Sequence, residues 1–196
     1  MKKKFFIFIL FLSPLLIQGQ NFKAGIRFGI CGSQVNGDNL SGFNKAGIVA
    51  GAFVNRNLSK PFNMQMEIVY IQKGSRKPTD DANSYYRLRV HYIEVPLILK
   101  FHASKKIDIT AGPSFGTLIF SEENNEFGVY EDALPFEKFE FSGNVGVIYK
   151  LDDNWSFDAR YNQSITTIRP YPGTSSDFFT KGQYNVVVEF SLLREF

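Results

Sequence analysis

The side chains of this 196-residue chain that could do chemistry are two histidines, one cysteine and several groups of opposed charges. His102-Ala103-Ser104 has a His-x-Ser spacing. A serine activated by a nearby imidazole can attack an ester, as lipid-modifying hydrolases do. His91 is followed by Tyr92 and Ile93, which offer no nucleophile, so neither histidine has a visible acid–base partner. With no His or Cys cluster there is no set of ligands for a metal, and a single Cys31 excludes an internal disulfide framework. The glycines form no phosphate-binding loop. Catalytic, cofactor and metal residues are therefore all expected to be none.

The charges are more orderly. Lys23, Arg27, Glu67, Lys73, Glu94, Lys100, Asp108, Glu140, Lys150, Asp158, Arg160 and Glu189 all fall on one parity of their local segments, opposite an apolar parity. Six are basic and six acidic. In an enclosed interior they are expected to pair as a structural plug, because an unpaired buried charge is expensive; an ion or proton path is the alternative. Arg76, Lys77, Arg87 and Arg89, beside Lys73, gather where the third and fourth segments meet. They are candidates for contact with lipopolysaccharide phosphates, which guanidinium and ammonium groups bind by charge-assisted hydrogen bonds. The stretch 121–138 carries Glu122, Glu123, Glu126, Glu131, Asp132 and Glu137 against Lys138, a solvated loop or a site for a divalent cation or basic partner. Tyr171, Phe178 and Phe179 in 166–182 are candidate contact residues or a lid.

The elements that must hold these groups are short alternating segments at 22–34, 45–55, 63–73, 87–101, 107–120, 139–151, 155–165 and 183–193. Most reach the 9–11 residues of a tilted membrane strand. The apolar parity, for example Phe22, Ala24, Ile26, Phe28, Ile30 or Tyr184, Val186, Val188, Phe190, Leu192, holds no charge. After one charge per segment has set the frame in seven of them, five more agree, roughly 1 chance in 30 for a strict period of two. The charged parity also collects small residues such as Gly25, Gly29, Gly47, Gly51, Gly112, Gly116 and Gly146, which suits the narrow bore of an eight-stranded barrel. The expectation is an all-β, eight-stranded, antiparallel up-and-down transmembrane β-barrel with bulky residues toward lipid. A soluble barrel with the apolar face inward is the structural alternative.

Connections at 35–44, 74–86, 121–138 and 166–182 are long, and those at 56–62, 102–106 and 152–154 are shorter. Short turns are periplasmic in such barrels, which puts both termini in the periplasm. Trp155, Tyr149 and Phe101 are expected at the inner girdle, Tyr70 and Tyr184 at the outer. Pro96 and Pro113 sit inside segments, where a closed barrel offers no free edge. The fourth segment changes apolar parity from Leu88, Val90, Tyr92 to Ile93, Val95, Leu97, Leu99, which predicts a β-bulge near Tyr92–Ile93.

Residues 1–19 read as a cleaved signal peptide: Lys2, Lys3 and Lys4, an apolar run over 5–17, then Gly19. Thirteen residues at 1.5 Å each give about 20 Å, too short for a hydrocarbon core of about 30 Å. Of 22 basic and 19 acidic residues, losing those three lysines leaves 19 of each, so the basic pI implies no nucleic-acid partner. Residues 20–196 form one domain, without a transmembrane helix.

The stretch His91-Tyr92-Ile93-Glu94-Val95-Pro96-Leu97-Ile98-Leu99-Lys100-Phe101 resembles the Y-I-E-I-P-L-L-L-K strand of PorT-like outer-membrane β-barrel proteins. Phe22-Lys23-Ala24-Gly25, Gln72-Lys73-Gly74, Ala111-Gly112-Pro113-Ser114-Phe115-Gly116, Ala159-Arg160-Tyr161-Asn162 and Ile165-Thr166-Thr167-Ile168 extend the resemblance over nearly the whole mature chain. Val95, Ile98 and Cys31 are mild departures. The resemblance implies an eight-stranded barrel in the outer membrane of a Gram-negative bacterium. Its terminal Phe196 looks like the signal read by the barrel-assembly machinery. The expected partners are outer-membrane lipid and lipopolysaccharide, that machinery, and an envelope or secretion-system protein. A non-catalytic barrel that binds through its external loops, in secretion or envelope integrity, is the leading function. A lipid A-modifying enzyme and a narrow channel are the alternatives.

Overall fold

Alternation of period two gives each segment one apolar and one polar face, and closure into a ring lets both faces find a suitable environment. The computed structural model describes residues 22–38, 40–77, 85–126, 128–129, 134–170 and 182–196. Residues 1–21 with the expected export signal, Glu131, Asp132, Tyr171, Phe178 and Phe179 lie outside the described residues. The strands are β1 (Phe22–Asn36), β2 (Lys45–Ser59), β3 (Phe62–Lys77), β4 (Tyr86–His102), β5 (Ile107–Asn125), β6 (Gly128–Val129), β7 (Phe139–Lys150), β8 (Trp155–Ser164), β9 (Arg169–Pro170) and β10 (Gly182–Glu195).

Eight of these are staves, each antiparallel to its neighbours, in the order β1-β2-β3-β4-β5-β7-β8-β10. β10 returns to β1 in a ladder from Gly25↔Glu195 to Asn36↔Tyr184, which closes the ring and leaves no sheet edge. The two-residue strands β6 and β9 add to β5 and β10 at the end that carries the long connections. The other end carries the termini and the tight turns. There the turn between β2 and β3 contracts to Lys60 and Pro61, joined by a cis peptide, where the sequence suggested a connection over 56–62.

The outward face is an uncharged belt that includes Ile26, Phe28, Ile30, Ile48, Met66, Ile68, Val95, Leu97, Leu99, Ile109, Phe115, Phe141, Val145, Val147 and Phe190, all exposed. Around the terminus end runs a ring of cations over aromatic faces: Arg56 over Phe22, Lys106 over Tyr149, and Arg194 over Trp155 and Phe196. Such pairs place an apolar body in lipid and a charge in the interface. The terminal residue is tied in as well, its N–H donating to the Ala24 carbonyl at 2.9 Å.

Two expectations change. β4 alternates without a break, with Leu88, Val90, Tyr92, Glu94, Pro96, Ile98 and Lys100 all buried, so it has no bulge at Tyr92–Ile93. The irregularity lies across the ladder in β5: His91 pairs with Phe120 and Tyr92 with Leu118, which leaves Ile119 as the extra residue. What looked like a slip of parity is a change in the polarity of the interior. Tyr184 lies on the outward parity but is buried rather than displayed in a girdle. As for the prolines, the β4–β5 ladder skips Leu97 and Ile98, opposite Pro113 and Gly112, and the β3–β4 ladder skips Glu67 and Ile68, opposite Pro96 and Val95. The missing N–H groups are absorbed by local gaps in a ring that is otherwise continuous.

Leu97 lies in the middle of the outward belt, and Leu97→Arg should cost about 2–4 kcal/mol of unfolding free energy in lipid. Urea unfolding of the protein in liposomes measures it. An unchanged midpoint would mean that this face does not meet hydrocarbon.

Candidate functional site

The interior is stratified. At the terminus end a cavity of about 280 Å³ is lined by Asn55, Lys100, His102, Asp108, Lys150 and Glu195 among others. Asp108 accepts from His102 Nδ1 at 2.6 Å and lies 3.1 Å from Lys150 Nζ. Lys100 donates to Gln65 at 2.7 Å and to Asn55 at 3.1 Å. Asn55 in turn donates to Glu195 at 2.6 Å, which is also bridged to Lys23 at 2.7 Å. Farther in, Phe53, Ile148 and Leu193 form a small apolar cluster. Gly25 makes room for it, since a Cβ there would come within 2.2 Å of the Phe53 ring.

The next layer is the ion network. Glu67 binds two arginines at once. Arg27 Nη1 donates to its Oε2 at 2.5 Å, and Arg160 grips both oxygens at 3.1 and 2.8 Å. Arg160 also bonds Asp158 at 2.8 Å, and Arg27 reaches Glu189 and Ser191, each at 3.0 Å. Gln65 donates to Glu67 at 2.6 Å and so links the network to Lys100. A second group centres on Lys73, whose ammonium is 2.5 Å from Glu94 and 2.8 Å from Glu140 and bonds Asn162 at 3.2 Å. Asn185 donates to Glu140 at 2.8 Å, and Ser114 to Glu94 at 3.2 Å. These chains come from β1, β3, β4, β5, β7, β8 and β10, so the network ties seven of the eight staves across the bore.

Toward the long connections the interior turns apolar. Cys31, Val35, Val49, Ile71, Leu88, Val90, Tyr92, Ile168 and Val187 form one buried cluster, with Tyr86, Leu118 and Phe136 packed against it. Its cap is an ion pair with aromatic support. Arg169 binds Glu123 at 2.6 Å and lies over the Phe136 ring at 3.8 Å, and Tyr86 donates to Glu123 at 2.8 Å.

Of the twelve charges on the polar parity, ten are buried in the bore. Lys23 and Lys150 instead sit at its mouth, Lys23 61% exposed, because each stands at the terminus end of its strand. The basic group is split by parity. Arg76, Arg87 and Arg89 face outward at the long-loop end, Lys77 falls on the inward parity of β3, and Lys73 belongs to the bore. On the outward face Arg89 pairs with Glu122, which also accepts from Asn124. Just below, His91 Nδ1 and the Tyr70 hydroxyl are 3.0 Å apart, and Gln72 donates to Tyr70 at 2.9 Å. Ser104 accepts the N–H groups of Lys106 and Ile107 in its turn, while His102 is held by Asp108, so the His-x-Ser spacing forms a turn and a hydrogen bond. The described residues contain no cluster of three or more metal-ligating His, Cys, Asp or Glu.

Several partners were missed because they carry no charge. Gln65, Asn55, Asn162 and Asn185 satisfy the ions, and their inward parity was the available signal. Arg169 and Phe136 lie in connections, where alternation gives no guide.

Glu67→Gln leaves two buried arginines short of one carboxylate charge, so a loss of about 3–5 kcal/mol is expected. Lys23→Ala at the exposed mouth should change stability by about 1 kcal/mol or less. Urea midpoints of the two variants, side by side, test whether the network or the rim carries the load.

A family described as outer membrane protein beta-barrel domain matches residues 18–169. No curated protein sequence matches. Among solved structures, Ail, the attachment invasion locus protein of Yersinia pestis, crystallised with the heparin analogue sucrose octasulfate, superposes with a TM-score of 0.52 at 11% identity, over 90% of this chain and 100% of that one. Neisserial surface protein A, NspA, gives a TM-score of 0.57 at 10% identity, over 88% of this chain and 97% of that one. Both are similar in fold.

Proposed function

Because the chain belongs to the outer membrane protein beta-barrel domain family, and so to the outer membrane of Gram-negative bacteria, we propose that it is a non-catalytic barrel of the PorT-like kind. It acts through its long connections, in protein secretion or in envelope integrity, by binding an envelope protein or ligand outside the bore. Both termini are periplasmic, the tight turns lie at the inner leaflet, and Phe196 serves the barrel-assembly machinery during insertion.

The filled bore carries this reading. A ring of eight strands has little space to begin with, and here an ion network and a dry apolar cluster capped by Arg169 and Glu123 occupy it in series. Such a lumen favours neither flow of ions nor entry of a substrate, which leaves the loops and the outward rim as the working surfaces. The position of His102 also speaks against a His-x-Ser hydrolase acting on lipid A: it lies at the end assigned to the periplasm, and Ser104 is spent on its own turn.

The test compares cells lacking the protein with cells in which residues 126–138 are exchanged for a Gly/Ser connection. The exchanged barrel must still show heat-modifiable gel migration. Loss of secretion or of detergent resistance to the level of the deletion is expected, with a silent planar bilayer for the purified wild type. Steady conductance, or full activity of the loop exchange, would overturn the reading. A tag at Gly128, detected on intact cells, checks the orientation separately.

A further inference from the structure

The outward face of the long-loop end carries a charge arrangement that the described residues of the barrel do not balance. Arg76 of β3 and Arg87 of β4 are directly opposite each other in the ladder, on the outward parity. Like charges so placed repel and weaken the strand pair. The next outward pair down is Gly74 with Arg89, so no side chain of β3 stands opposite Arg89. Arg89 is matched by Glu122, and Glu122 is further occupied by Asn124, whose backbone pairs with Arg87. Among the described residues no carboxylate lies within ion-pair distance of Arg76 or Arg87. Lys45, buried at the near end of β2, adds its own repulsion toward Arg87 and Arg89. The Nε atoms of Arg87 and Arg89 are buried with no hydrogen-bond partner. Among the described residues one carboxylate, Glu122, serves this patch: it bridges Arg89 and feels the charge of Arg87, and neither Arg76 nor Arg87 has an ion pair of its own.

Position names the chemistry of the missing partner. The same strands carry the exposed apolar residues Ile68, Ile93, Val95 and Leu97 below. Between belt and arginines lies the polar shelf of Tyr70, Gln72 and His91, with Phe120 against the imidazole at 4.8 Å. Arg87 is four residues beyond His91 on β4, about 13 Å along the strand and about 10 Å above it along the barrel axis. That is the level at which headgroups stand over hydrocarbon. A planar guanidinium binds phosphate oxygens in pairs, and two of them on adjacent strands suit one dianionic phosphate.

Resting on the outward orientation of this end, we infer that Arg76 and Arg87, flanked by Arg89, bind the phosphate of an outer-leaflet glycolipid headgroup, which lies against the apolar belt below. The phosphate replaces the repulsion between the two arginines with a bridge across the β3–β4 seam. The belt supplies the selectivity for a lipid over a free anion.

The experiment uses the full-length protein in phosphatidylcholine nanodiscs, titrated with bisphosphorylated lipid A, with dephosphorylated lipid A, and with inorganic phosphate, and read by native mass spectrometry. Arg76→Ala with Arg87→Ala should bind bisphosphorylated lipid A at least about tenfold more weakly than wild type, as loss of charge-assisted hydrogen bonds implies. Arg56→Ala with Lys106→Ala at the opposite rim should leave it unchanged, and dephosphorylated lipid A should bind wild type as weakly as it binds the variant. Equal affinity of wild type and the outward-rim variant overturns the site. Inorganic phosphate binding as tightly as the lipid overturns the lipid assignment. Should the alanine pair fail the heat-modifiability check, Arg76→Lys with Arg87→Lys is read instead: it keeps the charge but loses the paired geometry, and wild-type affinity would likewise overturn the bridge. Nanodiscs are blind to cellular orientation, so the surface tag at Gly128 can fail alone and would then refute the topology, not the binding.

Discussion

Everything in this barrel depends on how Glu67 is held between Arg27 and Arg160. Closing eight strands around an apolar belt forces the other face of every strand into a bore that is narrow and largely dry. A charge placed there must find its partner inside, because neither lipid nor bulk water can reach it. One carboxylate from β3 meets one guanidinium from β1 and one from β8, in three bonds of 2.5–3.1 Å. Each of those bonds crosses the lumen rather than running along a ladder. The network therefore fixes which staves face one another, a specification that backbone pairing between neighbours does not provide. The geometry satisfies the condition under which buried ions are tolerated, several charge-assisted bonds per group.

The change from charged to apolar filling along the bore follows from where water is needed. The terminus end opens into a polar cavity of about 280 Å³, so the ions there remain close to solvent. At the opposite end the strands outrun the membrane. β4 has 17 residues, about 56 Å along its length, and β5 has 19. Beyond the bilayer the inward face meets connections instead of charged neighbours, and it buries Leu88, Val90 and Tyr92 under Ile168 and Phe136 as a soluble protein would. A polar filling in that region would demand as many well-placed partners as the middle of the bore. An apolar one demands only shape.

That division also marks what the sequence makes legible. Alternation identifies the eight staves, their antiparallel order and the parity of ten of the twelve buried charged residues among those described, all but Lys45 and Arg169, because lipid outside and charge inside impose opposite preferences on successive residues. It misleads in β4, where Leu88, Val90 and Tyr92 are inward but apolar, and a rule that equates apolar with outward turns them into a bulge. The real bulge at Ile119 is invisible, since Ile119 and Phe120 are both apolar and read equally well in either register. Neutral partners such as Gln65 and Asn162 are equally silent. Their roles depend on which strand lies across the bore, and sequence pattern carries no information about that distance. The split of the basic group falls in the same category. Arg76 and Lys77 are adjacent in sequence and face opposite ways.

Outward parity gives that split its meaning. Inside the bore most cations are answered by a carboxylate or by side-chain amide oxygens from another strand, while Lys45 donates to the Ala46 carbonyl of its own strand, so the chain has the means to neutralise arginine wherever it must. Among the described residues of the outward face at the long-loop end it does so once, with Glu122 against Arg89. Leaving Arg76 opposite Arg87 in the same ladder is then a local choice of sequence against strand stability. Such a choice is sustained when something outside the chain supplies the countercharge, and at the upper boundary of an apolar belt the nearest dense source is the membrane surface itself. A barrel whose interior is filled has its outer wall and its loops left for recognition, and this wall is where the charge of the described residues is out of balance.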